Sequence, residues 1–314
     1  MANRAIIYRL YPTASQKLLL TKTFGCCRFV YNRLLSVQQE RYKNGEKHLS
    51  RTHANNFCNR QLKPAYPFLR EVDKFALTNA IYHLEDGYQR FFKHLGNFPK
   101  YKSKRKATKA YTTNSTNENI KIGEQYIQLP KLGRVKAKIH RKPKEDWLLK
   151  SATVREFGDG TYQVSVLFEY EEASVLTAPV TEEQVVGLDY KSAGLYVDSN
   201  GKCQNMPGYY RMAQMKLAKK QRKLRHKVSG SRNYQKQQKR IARVYRHISN
   251  QRKDYLHKLS AATAKQYAYV CVEDLNMRSM SNKGFGNGKS TLDNGYGMFL
   301  SMLDYKLAER GGKL

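Results

Sequence analysis

Hydrophobic and polar positions change their spacing along the first third of the chain. Residues 5–11 alternate until Pro12 interrupts them, and this period of two predicts a β-strand. From residue 13 to about residue 95 the apolar positions instead recur at helical spacing, with Pro64 and Pro67 marking a connection. The pattern therefore predicts one strand followed by a mainly helical lobe.

The spacing changes again near residue 98, where short β-like runs separated by glycine and proline begin. The clearest of these runs cover residues 120–122, 126–129, 135–139 and 162–168. A small β-barrel or sheet fits this spacing. The opening strand has no neighbour of its own kind nearby, so we expect it to pair into this later sheet. The helical lobe is then an insertion, and the stretch 169–183 marks the boundary to the last domain.

The last third of the chain predicts a strand, a second strand, a long helical region and a third strand. The strands cover residues 185–189, 195–198 and 268–272, and acidic residues close the first and the last, Asp189 and Glu273. This order matches the ribonuclease H-like arrangement that carries two-metal phosphodiester chemistry. The alternative is that Asp189 caps a turn and Glu273 caps the following helix, where such residues are common. Spacing alone leaves both interpretations open.

The helical region between those strands is strongly basic. Residues 209–258 contain seventeen Lys or Arg and one acidic residue, Asp254. Apolar residues at steps of three, four and seven predict one continuous helix over 232–265, and residues 229–231 separate it from a preceding basic helix. Solvated helix faces mix both signs, whereas a one-sided face repels itself unless phosphates neutralise it.

We therefore predict nucleic-acid contacts on this helical hairpin and on a second basic segment that begins at residue 100. The predicted contacts are Lys100, Lys102, Lys104, Arg105, Lys106, Lys216, Lys219, Lys220, Arg222, Lys223, Arg225, Lys227, Arg240, Arg243, Arg252 and Lys253.

Composition agrees with a nucleic-acid partner. The formal net charge is +33, from 58 Lys and Arg against 25 Asp and Glu, and a DNA or RNA backbone is the simplest partner for it. A membrane surface is the alternative, but no apolar run approaches the ~20 residues of a membrane-spanning helix. We therefore expect a cytoplasmic, nucleoid-associated protein without a membrane partner. The five cysteines form no CxxC pair and no His/Cys cluster, so neither disulfides nor a zinc site are expected.

A glycine-rich run covers residues 284–290. It contains a GxGKS string that is similar to part of a phosphate-binding loop, but it lacks the GxxxxGK[ST] spacing and no strand directly precedes it. We interpret it as a flexible loop.

Seven short motifs follow one another along the chain. They are YRLYPT at 8–13 with Gln16, FGCCRFVYN at 24–32, FPKYKSK at 98–104, LPKLG at 129–133, GLD at 187–189, NQRKDYLHK at 250–258 and EDLNM at 273–277. This ordered series resembles the TnpB (OrfB) family of insertion-sequence proteins, which are compact relatives of type V CRISPR effectors. The resemblance extends from the first residue to the last.

The resemblance implies an α+β, multidomain fold. Residues 1–12 and 98–180 would form a wedge-type β-barrel, and residues 13–97 would be a helical recognition lobe inserted into it. Residues 181–314 would form an RNase H-like (RuvC) α/β domain that carries the long basic helical hairpin.

The same resemblance implies RNA-guided DNA recognition, with a guide RNA from the protein's own locus and a double-stranded DNA target. Asp189 would be the first catalytic acid and Glu273 the second, and both would be Mg²⁺ ligands.

Two departures from the family pattern bear on catalysis. Family members commonly read Asp-Leu-Gly at the first acid, where this chain has Asp189-Tyr190-Lys191. The family also continues past the region matching Leu314 into a strand, a four-cysteine zinc element and a third catalytic aspartate. We therefore expect a C-terminally truncated chain with an incomplete nuclease site and no zinc.

Three hypotheses remain open from the sequence. The first is an RNA-guided DNA-binding protein of this family whose nuclease is incomplete, either a truncated transposon product or a nuclease-dead repressor. The second is a competent Mg²⁺-dependent endonuclease that completes its site with another acid, such as Asp293 or Asp304, or with a separate polypeptide. The third is a basic nucleic-acid-binding module that uses no guide.

Overall fold

The computed structural model describes residues 2–105, 107–171, 180–282 and 288–314, and the chain divides into two compact units, Met1–Glu172 and Ala173–Leu314. Each unit combines helices with one β-sheet.

The sheet of the first unit has seven strands in the order β2-β6-β7-β1-β5-β4-β3, and every pairing is antiparallel. The strands are β1 (Ala2–Tyr11), β2 (Lys109–Asn114), β3 (Lys121–Ile122), β4 (Tyr126–Leu129), β5 (Gly133–Lys138), β6 (Leu148–Glu156) and β7 (Tyr162–Tyr170). β1 pairs with both β7 and β5, so the prediction that the first strand joins the later sheet is confirmed.

This sheet is open, so the prediction of a β-barrel is wrong. Closure requires a ladder between the two outer strands, β2 and β3, and the described residues contain no such pairing. β3 has only two residues and pairs with β4 alone, so it is an outer strand of the sheet.

The helical part of the first unit lies between β1 and β2. It consists of α1 (Ala14–Lys43), α2 (Arg51–Phe57), a π-helical turn (Cys58–Leu62), α3 (Lys63–Ala65), a 3₁₀ turn (Pro67–Arg70) and α4 (Lys74–Phe92). Thr13 and Gln16 form a capping box that starts α1 directly after Pro12. The predicted mainly helical segment is confirmed, and Pro64 and Pro67 lie at its short irregular connection.

Alternating burial places the core of this unit on one face of the sheet. In β1, Ile6, Tyr8 and Leu10 are buried, whereas the residues between them face outward. Phe24 of α1 and Ala76 of α4 join the same core, so the helical part packs on the sheet.

The second unit has a four-stranded sheet in the order β10-β9-β8-β11. Its strands are β8 (Val185–Tyr190), β9 (Tyr196–Asp198), β10 (Cys203–Gln204) and β11 (Tyr269–Val272), and β8 and β11 run parallel. Between β10 and β11 lie α5 (Tyr209–Arg225) and α6 (Arg232–Gln266); after β11 come α7 (Met277–Met280), α8 (Gly288–Asn294) and α9 (Tyr296–Ala308). The predicted order of two strands, long helices and a third strand is confirmed.

The core of the second unit lies between one sheet face and α9. Val186, Leu188 and Val270 contribute from the strands, and Phe299 and Leu303 contribute from the helix. A smaller cluster of Leu217, Val244 and Ile248 holds α5 against α6.

Two further sequence predictions concern segments outside the sheets. Residues 284–287 of the predicted glycine-rich loop lie outside the described residues, whereas Gly288–Asn294 forms α8, so the end of that run is helical. Among the residues that the structure describes, no helix combines the length and apolar character needed to cross a membrane.

Candidate metal centre and nucleic-acid interface

The register of the second sheet brings Asp189 and Glu273 together. Leu188 in β8 pairs with Val272 in β11, and because the strands are parallel, the residue after each follows in the same direction. Both carboxylates line one cavity of about 440 Å³. Both acids are exposed, whereas Val186 and Leu188, which precede Asp189 in β8, are buried against α9. Because side chains alternate along a strand, the acids lie on the face of the sheet opposite α9. The two predicted site residues are therefore neighbours.

The alternative interpretation of these acids as caps does not match the geometry. Asn276, and not Glu273, caps α7, and its side-chain oxygen accepts a hydrogen bond from the Ser279 amide at 3.1 Å. Asp189 lies inside β8, whereas the nearby turn is held by Asp198, whose carboxylate accepts from the Asn200 and Lys202 amides. Other residues therefore make the hydrogen bonds that cap the turn and α7, and the carboxylates of Asp189 and Glu273 are available to bind a cation.

Tyr296 lies beneath the two acids and was not predicted from the sequence. Its hydroxyl points to the Leu188 carbonyl at 3.5 Å, and its ring packs against Tyr190 with centroids 5.0 Å apart. Burial raises the pKa of Tyr296 to about 12, and the negative charges of Asp189 and Glu273 contribute to this increase. Tyr296 is therefore a neutral donor at physiological pH. The local signal in the sequence is the glycine directly before Tyr296. Gly295 adopts a left-handed conformation at the start of α9.

The two other acids considered from the sequence do not join this site. Asp293 is buried and forms an ion pair with Arg252, with Oδ1 2.7 Å from Nη2. Both of its oxygens also lie 3.2 Å from the Tyr210 amide, at the start of α5. Asp304 is exposed on α9 and does not line the cavity of Asp189 and Glu273. Within the described residues there is no group of three or more His, Cys, Asp or Glu that could hold a metal ion.

Two adjacent carboxylates can still hold one hard cation. Mg²⁺ keeps several water ligands and is commonly bound through one or two carboxylates together with substrate phosphates. Asp189 and Glu273 fit that requirement, because both are exposed and neither forms an ion pair with a described residue. They do not provide the ligands that a pair of cations needs.

The basic hairpin forms as the sequence predicted. α6 has 35 residues, which corresponds to about 52 Å at 1.5 Å per residue. Gly230 has a φ of +81° in the connection, and Ser231 caps α6 by accepting a hydrogen bond from the Tyr234 amide. Val244 and Ile248 of α6 pack against α5, and Leu256 and Ala264 pack in the core of the second unit. The remaining positions of α6 carry the basic side chains outward.

Most of the predicted contact residues on the hairpin are exposed and form no ion pair with any residue that the structure describes. Lys220 and Lys227 are half-buried. The exposed residues are Lys216, Lys219, Arg222, Lys223, Arg225, Arg240, Arg243 and Lys253. In the first unit, Lys100, Lys104 and Arg105 are exposed, and Lys106 lies outside the described residues.

The structure places two of the predicted contact residues inside other interactions. The Lys102 ammonium lies 3.6 Å from the centroid of the Tyr31 ring, and its backbone exchanges two hydrogen bonds with the Asn32 side chain. Burial lowers the pKa of Lys102. Arg252 is mostly buried beside Asp293. Both cations are therefore held within the protein, unlike the exposed cations of the hairpin.

Comparison with known proteins places this chain in a family. A family model described as "Probable transposase" matches residues 163–283, and one described as "Helix-turn-helix domain" matches residues 1–47. In this chain residues 1–47 contain β1 and the single long helix α1, so the structure there is a strand and one helix.

Two relatives match nearly the whole chain. A protein of Streptomyces pristinaespiralis, named as a candidate RNA-guided DNA endonuclease, is 30% identical across 99% of this chain and 76% of its own length. InsQ of Escherichia coli (strain K12), named as the same kind of candidate enzyme, is 30% identical across 99% of this chain and 79% of its own length.

A solved structure of Cas12f1 with a single guide RNA and target DNA matches with a TM-score of 0.51 at 8% identity, over 99% of this chain and 88% of that chain. The chain thus has a mixed α+β fold that resembles Cas12f. It belongs to the TnpB (OrfB) family of insertion-sequence transposon proteins, which are related to type V CRISPR effectors.

Proposed function

We propose that this chain is an RNA-guided DNA-binding protein whose own residues form an incomplete nuclease site. The observation that carries the proposal is the parallel register of β8 and β11, which places Asp189 beside Glu273. Asp198 also lines their cavity, but its carboxylate already accepts hydrogen bonds from two backbone amides, and the described residues contain no group of three His, Cys, Asp or Glu that could hold a metal ion. The names of its relatives, which describe RNA-guided DNA endonucleases, support the guided part of the proposal.

The partners that we propose are a guide RNA from the protein's own locus and a double-stranded DNA target. The exposed cations of the α5–α6 hairpin would neutralise phosphates of these nucleic acids, together with Lys100, Lys104 and Arg105 of the first unit. Family membership supports a division of labour in which residues 1–12 and 98–180 form a wedge domain, residues 13–97 a recognition lobe and residues 181–314 a RuvC-like domain.

Asp189 and Glu273 would hold one Mg²⁺ between the ends of β8 and β11. A bound Mg²⁺ supplies charge neutralisation at a phosphodiester and lowers the pKa of a water ligand. Burial of Leu188 fixes the backbone that carries Asp189, and Tyr296 supports that backbone through its hydroxyl. Asp293 is already neutralised by Arg252, so it does not supply the ligand that a second cation would need.

The proposal is tested by supplying the protein with a guide RNA and a guide-matched plasmid in Mg²⁺. Wild type and Asp189→Ala should both bind the matched plasmid, and neither should cut it, because one cation does not clamp both the attacking and the leaving oxygens. Asp304→Ala is the matched control, since Asp304 is an exposed acid outside the cavity.

Cleavage by wild type that disappears in Asp189→Ala would contradict the incomplete site and favour a competent endonuclease. Loss of cleavage in Asp304→Ala as well would show that this acid completes the site. Sequencing of the RNA that co-purifies with the protein tests the guide separately. One enriched species from the 3′ side of the gene is expected, whereas random cellular RNA would favour a basic module without a guide.

A further inference from the structure

Four aromatic side chains pack together at the C-terminal end of α4. Tyr88, Phe91 and Phe92 belong to the last turns of the helix, and Phe98 belongs to the segment that follows it. The Phe98 ring packs edge to face against Tyr88 and Phe91, with centroids 5.5 Å and 5.3 Å apart. The Phe92 ring lies nearly parallel to the Tyr88 ring at 6.4 Å. These contacts fix the orientation of the rings.

The C-terminal end of α4 turns the chain back toward this cluster. His94 has a φ of +57°, in the left-handed region that residues other than glycine seldom adopt. Its amide donates to the Phe91 carbonyl at 3.0 Å, and the Leu95 amide donates to the Arg90 carbonyl at 2.8 Å. These two hydrogen bonds form a Schellman motif, which ends the helix. The turn returns Phe98 to the last turns of α4.

Two rings of this cluster are exposed, although burying an aromatic side chain is strongly favourable. Phe92 is 67% exposed and Phe98 is 41% exposed, and Leu95, which lies between them in sequence, is also exposed. We refer to Phe92 and Phe98 as the aromatic platform. An exposed apolar patch with a polar rim is typical of an interaction site. The aromatic platform is therefore a candidate binding surface of the first unit.

The charge around the aromatic platform has one sign. Residues 87–117 contain eight Lys or Arg and no Asp or Glu. Three of these cations flank the two rings in sequence, are exposed and form no ion pair with a residue that the structure describes: Arg90, Lys93 and Lys100. The acids directly before this stretch, Glu85 and Asp86, already form ion pairs with other residues. The surface thus fits a partner that combines negative charge with flat apolar faces.

We propose that the aromatic platform stacks with unpaired bases of a single-stranded nucleic acid, whose phosphates contact Arg90, Lys93 and Lys100. Aromatic side chains beside a positively charged surface bind single strands in this way, with little preference for sequence. Bases within a duplex already stack on their neighbours, so the aromatic platform selects unpaired ones. The inference rests on the nucleic-acid function proposed above, and it adds contacts to bases that phosphate contacts alone do not provide.

Two other occupants fit the surface less well. A second copy of the chain would bring the same cations next to one another, and like charges across an interface oppose association. A protein partner would need acidic groups directly beside exposed apolar ones, whereas every nucleotide of a single strand carries both a phosphate and a flat base. Charge and shape together therefore favour the nucleic acid.

The test compares two probes that carry the same phosphates. One is an oligothymidylate of about twelve nucleotides, a length on the scale of one single-strand site. The other is a strand of equal length that lacks every base, so it reports phosphate contacts alone. Phe92→Leu keeps an apolar side chain but removes the flat ring, and Phe92→Trp restores a flat ring. Fluorescence anisotropy with labelled strands gives the dissociation constants.

Phe92→Leu should bind oligothymidylate about tenfold more weakly than wild type, a ratio equivalent to about 1.4 kcal/mol. Its affinity for the strand without bases should not change, and neither should the slope of log K against log salt, because no phosphate contact is lost. Phe92→Trp should bind oligothymidylate as tightly as wild type. The same oligothymidylate annealed to its complement should not respond to Phe92→Leu, because its bases are already stacked.

Phe68→Leu is the matched control variant. Phe68 is 43% exposed, close to the value for Phe98, and its ring also packs edge to face, against Phe29. Acids follow it closely in sequence, at Glu71 and Asp73, so its surroundings do not have one sign of charge. Phe68→Leu should therefore bind both strands as wild type does.

The unpaired bases can belong to RNA or to DNA, and a parallel titration with oligouridylate distinguishes these sources. The strand whose affinity falls further in Phe92→Leu identifies the natural source of the bases. Wild-type affinity of Phe92→Leu for both oligothymidylate and oligouridylate would overturn the proposal. An equal loss for the strand without bases would also overturn it, because the variant would then act on phosphate contacts or on folding.

Concentration-dependent self-association of the wild type that Phe92→Leu abolishes would overturn the proposal as well, because a second copy of the chain would then be the occupant. Failure of the wild type to bind any of the strands would remove the proposed nucleic-acid function together with this inference. Intact binding that does not depend on Phe92 would remove only the inference.

Discussion

The Asp293 carboxylate lies 2.7 Å from the Arg252 guanidinium and also accepts a hydrogen bond from the Tyr210 amide. One buried acid thus ties α8 to α6 and to the first turn of α5, where a negative charge is favourable near the positive end of the helix dipole. The same contact explains why the Asp293 carboxylate does not join Asp189 and Glu273 at the candidate metal centre and why the Arg252 side chain is mostly buried.

Asp293→Asn should strongly destabilise the protein. The substitution keeps the size of the side chain but leaves the Arg252 charge buried without its partner, which costs about 3–5 kcal/mol. Asp254→Asn is the matched control, because the Asp254–Lys258 pair on the same helix as Arg252 is more than half exposed and contributes at most about 1 kcal/mol. Unfolding in guanidinium, followed by helical circular dichroism, measures both. A similar loss in the free energy of unfolding in both variants would contradict the larger contribution expected from the buried Asp293–Arg252 pair.

Gly312→Ala should also destabilise the protein, by about 1–3 kcal/mol, because the added methyl group overlaps the Ala268 carbonyl and must displace the backbone. Gly297→Ala in α9 is the control. A Cβ atom there meets its nearest neighbour, Met277, only at 4.0 Å, so alanine should stabilise the helix by about 0.4–1 kcal/mol. The midpoint temperature of thermal unfolding should therefore fall in Gly312→Ala and rise in Gly297→Ala. A shift in the same direction would mean that the backbone beside β11 is not tightly constrained.

Replacing Lys219, Arg222 and Lys223 with glutamine should weaken nucleic-acid binding and its dependence on salt. Each lost phosphate contact lowers the slope of log K against log salt by about 0.7–0.9. Lys258→Gln is the control, because its ammonium already pairs with Asp254 at 2.7 Å. Binding titrations over a range of salt concentrations give the slope. If the triple variant keeps the wild-type slope, this face of α5 does not contact phosphates.

The stability of the protein should fall as the pH drops through about 6.5, and His83 should contribute to that loss. Burial and the positive charge of Lys102 lower the pKa of His83 below its ordinary value, with Asp86 opposing them. The unfolded chain then binds more protons than the folded chain between the two pKa values, so acidification favours unfolding.

His83→Gln should flatten the dependence of the unfolding midpoint on pH between about 7 and 5, the range in which a histidine of lowered pKa titrates. Direct titration of the His83 ring by NMR should give a midpoint below 6.5, and Lys102→Met should move it upward because the nearby positive charge is removed. An unchanged midpoint of the His83 titration in Lys102→Met would mean that the Lys102 charge does not lower the pKa of His83.

Local patterns in the sequence were sufficient for the elements. Alternation predicted β1, and helical spacing predicted α1 and α6. The acids that close two apolar runs made Asp189 and Glu273 candidate metal ligands. These features depend on residues close in sequence, where side-chain periodicity and capping chemistry act directly. The ordered motifs likewise identified the family, because recognising them requires only residue identities and their order along the chain.

Only the tertiary structure decided which of these residues contact one another and which are exposed to a binding partner. The sheet of the first unit is open because its outer strands β2 and β3 do not pair, and no local pattern in the sequence reports whether two distant strands pair. Charge alone made Lys102 and Arg252 candidate phosphate contacts, but their partners are Tyr31 and Asp293, which are distant in sequence. Burial and strand register are set by long-range packing, and this is why charge identified the basic surface but not the cations that belong to it.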